Sequence, residues 1–216
     1  MPFNLINMET WVRKEHFLHY MNHVRCTYSL TTNIDITVLR NVLKQKGLKA
    51  YPAQIHMLAT IVNHLPEFRM GLTANGLPGY WSELNPSYTV FNSRTKTFSS
   101  IWTQYYYDFH VFYLSCIRDI EKYGRSTSFS PKGPAPDNTF PVSSIPWINF
   151  SAFNLNIYAE ETYLLPIFTL GKYIEKNGKT LLPLTIQVHH AACDGYHIGQ
   201  FIENLQLLAL QYDEWL

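Results

Sequence analysis

Two apolar stretches, residues 167–174 and 181–189, are separated by a short polar segment holding Asn177-Gly178. Asn-Gly is the strongest local signal for a two-residue hairpin turn, because both central residues of that turn need positive φ. The dipeptide commits this part of the chain to two adjacent antiparallel strands. Pro183 has no N–H to give to a ladder, so it predicts an edge or a bulge near the start of the second strand. Beyond it, a period of two puts Leu184, Ile186, Val188 and His190 on one face. Asp194-Gly195 then turns the chain. Ile198, Phe201, Ile202, Leu205, Leu208 and Ala209 follow at helical spacing, predicting a long amphipathic helix to the C-terminus.

The rest of the chain mixes both periodicities. Residues 35–46 predict a helix that Asp35 caps, with Val38, Leu39, Val42 and Leu43 on its apolar face and Gly47 as its stop. A second helix follows Pro52, carries Ile55, Leu58, Ala59 and Val62 on one side, and ends at Pro66. A third spans 109–123 and stops near Gly124. Residues 88–91, 97–103 and 147–157 read as strands, and 125–142, rich in Ser, Pro, Gly and Asn, as a long loop. Strands and helices intermix without regular βαβ alternation. The expected fold class is therefore α/β, a two-layer sandwich of a mixed sheet with helices packed on it, in one domain covering 1–216.

Composition removes several function classes. Net charge is +1 and no basic stretch is long enough to track a phosphate backbone, so nucleic acid is disfavoured. No run of about 18 apolar residues exists, so no membrane span is expected. Cys26, Cys116 and Cys193 are odd in number and widely spaced, which fits a reducing cytosol better than a disulfide framework; the expected location is cytoplasmic. Only 15% of residues are charged while 15% are aromatic, a balance that suits an apolar subunit interface or a pocket for a flat organic ligand.

Chemistry concentrates in Gln187-Val188-His189-His190-Ala191-Ala192-Cys193-Asp194-Gly195-Tyr196-His197. Three readings are open on the residues alone. His190 ends an apolar strand face, which suits a satisfied core histidine. It also suits a general base, because partial burial disfavours imidazolium. A metal set of His189, His190, Cys193 and His197 is the third, but adjacent histidines in a strand point to opposite faces and no Cys-x-x-Cys or His-Glu-x-x-His pattern supports it. No metal is expected.

The string resembles the active-site motif of type A chloramphenicol acetyltransferases, and its His-x-x-x-Asp-Gly core resembles the signature of CoA-dependent acyltransferases generally. Trp11-Val12-Arg13-Lys14-Glu15-His16-Phe17 is similar to that family's N-terminal segment. Phe150-Ser151-Ala152-Phe153-Asn154-Leu155-Asn156 and Pro166-Ile167-Phe168-Thr169-Leu170-Gly171-Lys172-Tyr173 are similar to its later strands. The matches keep their order over nearly the whole chain.

The resemblance implies a reaction and a site. His190 takes the proton of the primary hydroxyl of chloramphenicol, and the alkoxide attacks acetyl-CoA, a cosubstrate; no tightly bound cofactor is implied. Ser143 stabilises the tetrahedral intermediate and Thr169 holds a water near it. Arg13 pairs with Asp194 to brace the active-site loop. Tyr20, Cys26, Phe98 and Leu155 match drug-pocket positions, and Trp147, Lys172 and Tyr173 match CoA contacts. The family is a homotrimer with sites between subunits. His19, Ser130 and Pro141 depart from a better-known member, two of them replacing Phe, with Phe129 beside Ser130. Two rivals remain: an acyltransferase core of the 2-oxoacid dehydrogenase type, whose chains usually carry a lipoyl domain and a flexible Ala/Pro-rich linker, and a drug- or CoA-binding relative without turnover.

Overall fold

The computed structural model describes residues 2–157 and 162–216. In chain order the elements are β1 (Phe3–Leu5), α1 (Lys14–Asn22), β2 (Thr27–Asp35), α2 (Thr37–Gln45), α3 (Ala50–His64), β3 (Met70–Leu72), β4 (Pro78–Trp81), β5 (Asn85–Asn92), β6 (Thr97–Trp102), α4 (Phe109–Tyr123), β7 (Thr139–Ile145), β8 (Ile167–Gly171), β9 (Ile174–Lys176), β10 (Lys179–His189) and α5 (Gly195–Leu210). One mixed sheet dominates, in the order β2-β10-β8-β7-β5-β6, with β9 extending β8 along β10. β7 runs parallel to both β5 and β8, and the other pairs are antiparallel. β1, β4 and β3 form a small separate sheet.

Asn177 and Gly178 take positive φ of 52° and 75°, and β9 and β10 pair on either side of them. Pro183 does not lie at an edge, since β10 has partners on both sides. The ladder is nevertheless interrupted there. β9 pairs with β10 up to Leu181, β8 takes over at Leu184, and the missing N–H falls in the gap. A Cβ added to Gly171, at the end of β8, would stand 3.0 Å from both the Phe150 ring and Pro183, so a side chain there would press on both neighbours.

The helices form the second layer. α3, with ten buried residues, lies between α4 and α5 and against β5. Its core joins Leu39 and Leu43 of α2, Phe109, Phe112 and Cys116 of α4, Phe201 and Leu205 of α5, and the apolar face of β10 in one cluster. Periodicity locates these helices well. Asp35 is not the N-cap expected of it: α2 starts at Thr37 with Ile36 as N-cap, and Asp35 accepts from the Thr37 N–H at 3.1 Å from one residue earlier, whereas Asp108 caps α4 through the Val111 N–H at 3.0 Å.

Three expectations need correction. Residues 139–142, the end of the supposed loop, belong to the central strand β7, which runs on to Ile145. The remainder of the loop is tied down by Lys132, which donates to Asp119 and to the Trp102 carbonyl, both at 2.8 Å. Residues 147–157 form no strand. Their polar groups turn instead to side chains on the helix-free face of the sheet: the Leu155 N–H donates to Gln187 Oε1 at 2.9 Å, and Asn154 Oδ1 accepts from Ser29 at 2.8 Å. α5 ends at Leu210 rather than at the C-terminus, and the Trp215 indole folds back to the Leu208 carbonyl at 2.8 Å.

Candidate active site

β10 ends at His189, and residues 190–194 turn the chain into α5. Every amide of this turn has an acceptor. His190 N–H donates to the Cys26 carbonyl at 2.8 Å; Ala192 and Cys193 N–H both reach the His189 carbonyl, at 3.0 and 3.1 Å. Ala191 N–H donates to His189 Nδ1 at 3.1 Å. Asp194 N–H meets His197 Nδ1 at 3.1 Å, while the Asp194 carboxylate caps α5 by accepting from the Tyr196 N–H. The α5 N-terminus is thus closed reciprocally by its first side chains.

Arg13 reaches the same turn from the segment before α1. Its Nη1 lies 2.5 Å from Asp194 Oδ2 and its Nη2 donates to the Ala192 carbonyl at 3.3 Å. Burial alone pushes the Asp194 carboxyl up, but the Arg13 hydrogen bond and the charges of His197 and Arg13 outweigh it, and the carboxyl is held below its ordinary range. Arg13 and Asp194 therefore form an ion pair, as expected. Cys193 is buried, donates to the Glu67 carbonyl at 3.5 Å, and burial holds its thiol protonated, which excludes it as a resting thiolate nucleophile.

His190 sits at the apex of the turn. Tyr20 stacks on its ring, centroids 3.9 Å apart and planes 7° from parallel, and Tyr28 flanks it at 5.1 Å. The stack fixes the ring's plane. His190 Nδ1 is buried and has no hydrogen-bond partner among the described residues.

A second group lies elsewhere. Phe98, Ser143, Trp147, Leu155, Lys172 and Tyr173 all line one cavity of about 990 Å³, together with Tyr51, Gln54, Phe153 and Gly171. That size is at the top of the range for small-ligand sites. Gln54 Nε2 donates to the Tyr173 hydroxyl at 2.7 Å, and Arg40 lies over the Tyr173 ring at 5.1 Å. Phe91 packs edge-on against Trp147 at 4.7 Å. Several walls remain open: Phe98, Trp147 and Leu155 are 52%, 56% and 38% exposed.

Sheet register measures the separation of the two groups. Ser143 is level with Thr169 on β8, and Thr169 with Thr185 on β10. His190 lies five residues beyond Thr185 and two strands over from Ser143. At about 3.3 Å per residue and about 4.8 Å per strand, the backbone positions of the two residues in one chain are roughly 19 Å apart. No proton and oxyanion of a single acyl group span that distance.

Thr169 is buried beside Thr185, whose hydroxyl meets Thr31 at 2.7 Å, and it is not part of the cavity wall. Cys26 belongs to the His190 group through its carbonyl, not to the large cavity. His19 is exposed, its ring against the edge of Tyr20 at 5.0 Å. Ser130 is exposed, whereas Phe129 packs edge-on against Phe98 at 5.9 Å, so the aromatic beside the cavity residue Phe98 is Phe129. Pro141 lies within β7, opposite Ser87. Gln54, Arg40 and Tyr28 were not singled out as site residues. Gln54 is, with His56, one of two buried polar residues in the apolar run of α3, which is the trace it leaves in the sequence. Among the described residues, no three His, Cys, Asp or Glu side chains come together as a metal set.

A family model described as chloramphenicol acetyltransferase matches residues 1–206. A chloramphenicol acetyltransferase of Clostridium butyricum is 53% identical over 216 residues, covering 100% of this chain and 99% of that protein. A solved chloramphenicol acetyltransferase structure superposes with a TM-score of 0.89 at 19% identity, over 96% of this chain and 100% of the other. The cubic core of a pyruvate dehydrogenase multienzyme complex superposes with a TM-score of 0.65 at 18% identity, over 97% and 90%. At these identities the two structural likenesses show the fold alone.

Proposed function

Since the chain belongs to the chloramphenicol acetyltransferase family, we propose that it transfers acetyl from acetyl-CoA to the primary hydroxyl of chloramphenicol, with His190 as general base. The neutral imidazole accepts the hydroxyl proton as the oxygen attacks the thioester carbonyl. The resulting oxyanion accepts a hydrogen bond from Ser143, a kind of contact typically worth about 2.7–4 kcal/mol in the transition state. Collapse of the intermediate breaks the C–S bond, and the leaving thiolate takes the proton back from His190. Asp194 and Arg13 act one step away, by holding the turn. Thr169, within the sheet, orients a water. The whole chain works as one acetyltransferase domain.

The observation that carries this reading is the separation of His190 from the Ser143 cavity. Both groups are built as a site would be, yet one chain cannot bring them together. Docking the His190 turn of one copy onto the open cavity of another joins them. The two surfaces differ, so the contact is head-to-tail and closes into a ring. The family resemblance makes that ring a trimer. Exposed Phe98, Trp147 and Leu155 supply the apolar surface such a contact buries. Trp147, Lys172 and Tyr173 hold CoA in the cavity; Tyr20, Cys26, Phe98 and Leu155 hold the drug. No helix among the described residues is long and apolar enough to cross a membrane, and we place the enzyme in the cytoplasm.

The test is purified protein with acetyl-CoA and chloramphenicol, with free thiol and monoacetylated drug measured together. Equimolar appearance of both is expected. Acetyl transfer to dihydrolipoamide but not to chloramphenicol would move the chain to the 2-oxoacid dehydrogenase type, and no thiol release with either would make it a binding protein.

A further inference from the structure

We propose that His189 is a positioning residue whose imidazole, as a neutral ring with a free Nδ1 lone pair, holds the backbone of the turn that aims His190. The turn from 190 to 193 has four amides, and three of them end on His189. Two use its carbonyl, which any residue offers. The third, from Ala191, uses the ring. Ala191 is fully buried, so its N–H has no water to turn to if the ring is lost. Ala191 directly follows His190, so the orientation of that peptide sets the direction of the His190 side chain.

The bond assigns the tautomer. An N–H donor at 3.1 Å leaves Nδ1 as acceptor and the proton on Nε2. The ring's surroundings agree. It is 5% exposed, and it borders a cavity of about 210 Å³ shared with Arg25, Cys26, Tyr163 and Gln187. Among the described residues, the charged or titratable groups facing it are Arg25 from the segment after α1, Cys26, Tyr163 and its neighbour His190, and none of the described lining residues is a carboxylate. Burial first, then His190 and Arg25, holds the ring's pKa below the ordinary histidine value. The neutral state matters at His189 because a cationic ring would leave Ala191 N–H without an acceptor.

The inference rests on His190 being the base, and three substitutions with one spectrum test it. His189→Phe keeps a buried ring of similar size but no acceptor. His189→Asn places Oδ1 the same number of bonds from the backbone as Nδ1. The Phe protein should lose about ten-fold in kcat, the cost of a misaimed base and an orphaned amide, with KM for both substrates within about two-fold. The Asn protein should recover most of that loss. Nitrogen-15 spectra of histidine-labelled wild-type trimer should show His189 protonated at Nε2 and bare at Nδ1, a readout that does not depend on turnover. Native kcat in the Phe protein, an Asn protein no better than the Phe protein, or a proton on Nδ1 would each overturn the assignment. If His190→Ala, run alongside, keeps native kcat while the spectrum is as expected, it is the base reading that fails, not the anchoring.

Discussion

Replacing Asp194 by Asn separates bracing from chemistry. Asn still accepts the Tyr196 N–H, so the α5 cap survives and only the charge is lost. Arg13 and Asp194 side chains are 17% and 34% exposed. The pair lies between a surface bridge, worth about 0.2–1 kcal/mol, and a buried one, whose truncation costs about 3–5 kcal/mol. Allowing for solvent at Asp194, a loss of about 2 kcal/mol is expected, and for a chain of this size that lowers Tm by about 4–8 °C. The carboxyl's pKa in the fold is depressed, so its contribution is present above the unfolded carboxyl pKa of about 3.9 and is lost as pH falls through the lower folded value. The Tm gap between wild type and Asp194→Asn should therefore be full at neutral pH and close in strong acid. The assay is thermal melting across pH beside steady-state kinetics. Activity should fall with Tm, with Kd for chloramphenicol nearly intact. Lost turnover with unchanged melting would refute the bracing role and make the carboxylate a participant in the reaction.

Other outcomes follow from the same geometry. Ser143→Ala should cut kcat by about 10²–10³-fold without altering Tm, checked by kinetics and calorimetry. Phe129→Ala should raise KM for chloramphenicol because Phe129 is the ring against Phe98, whereas Ser130→Phe should leave it nearly unchanged; equal effects would mean the loop repacks on binding. His56 is enclosed by Tyr105, Phe109, Phe112 and Trp215, and burial lowers its pKa to about 4. It stays neutral in the fold while the unfolded chain takes up a proton below about 6.5, so wild type should lose about 3 kcal/mol between pH 6.5 and pH 4, and His56→Leu should be much less acid-sensitive over that window in urea melts.

The parts legible in sequence are those where a local rule and the tertiary environment agree. Asn177-Gly178 needs positive φ wherever it sits, and α4 shows Asp108 before an apolar stripe and Gly124 after it. The His190 turn was legible because its spacing and residue types are specific. α1 left no stripe to read, since it buries only Phe17. β2 alternates poorly because the polar, helix-free side of the sheet also covers part of it, with Thr31 and Ser29 bonded to Thr185 and Gln187. Residues 147–157 carry the aromatic content of a strand but spend it on the cavity and the sheet face. The separation of His190 from Ser143 is a matter of register across three strands, and no window of sequence contains it.

Mixed assembly tests the shared site most directly. His190→Ala keeps an intact cavity; Ser143→Ala keeps an intact base. Each should be nearly inactive alone. After the two are unfolded together and reassembled in equal amounts, about a quarter of the sites in a head-to-tail ring pair a working His190 with a working Ser143. Acetyl transfer should return to about a quarter of the wild-type rate per site. A reassembled mixture no more active than its separate parents would contradict a site completed by a neighbouring copy.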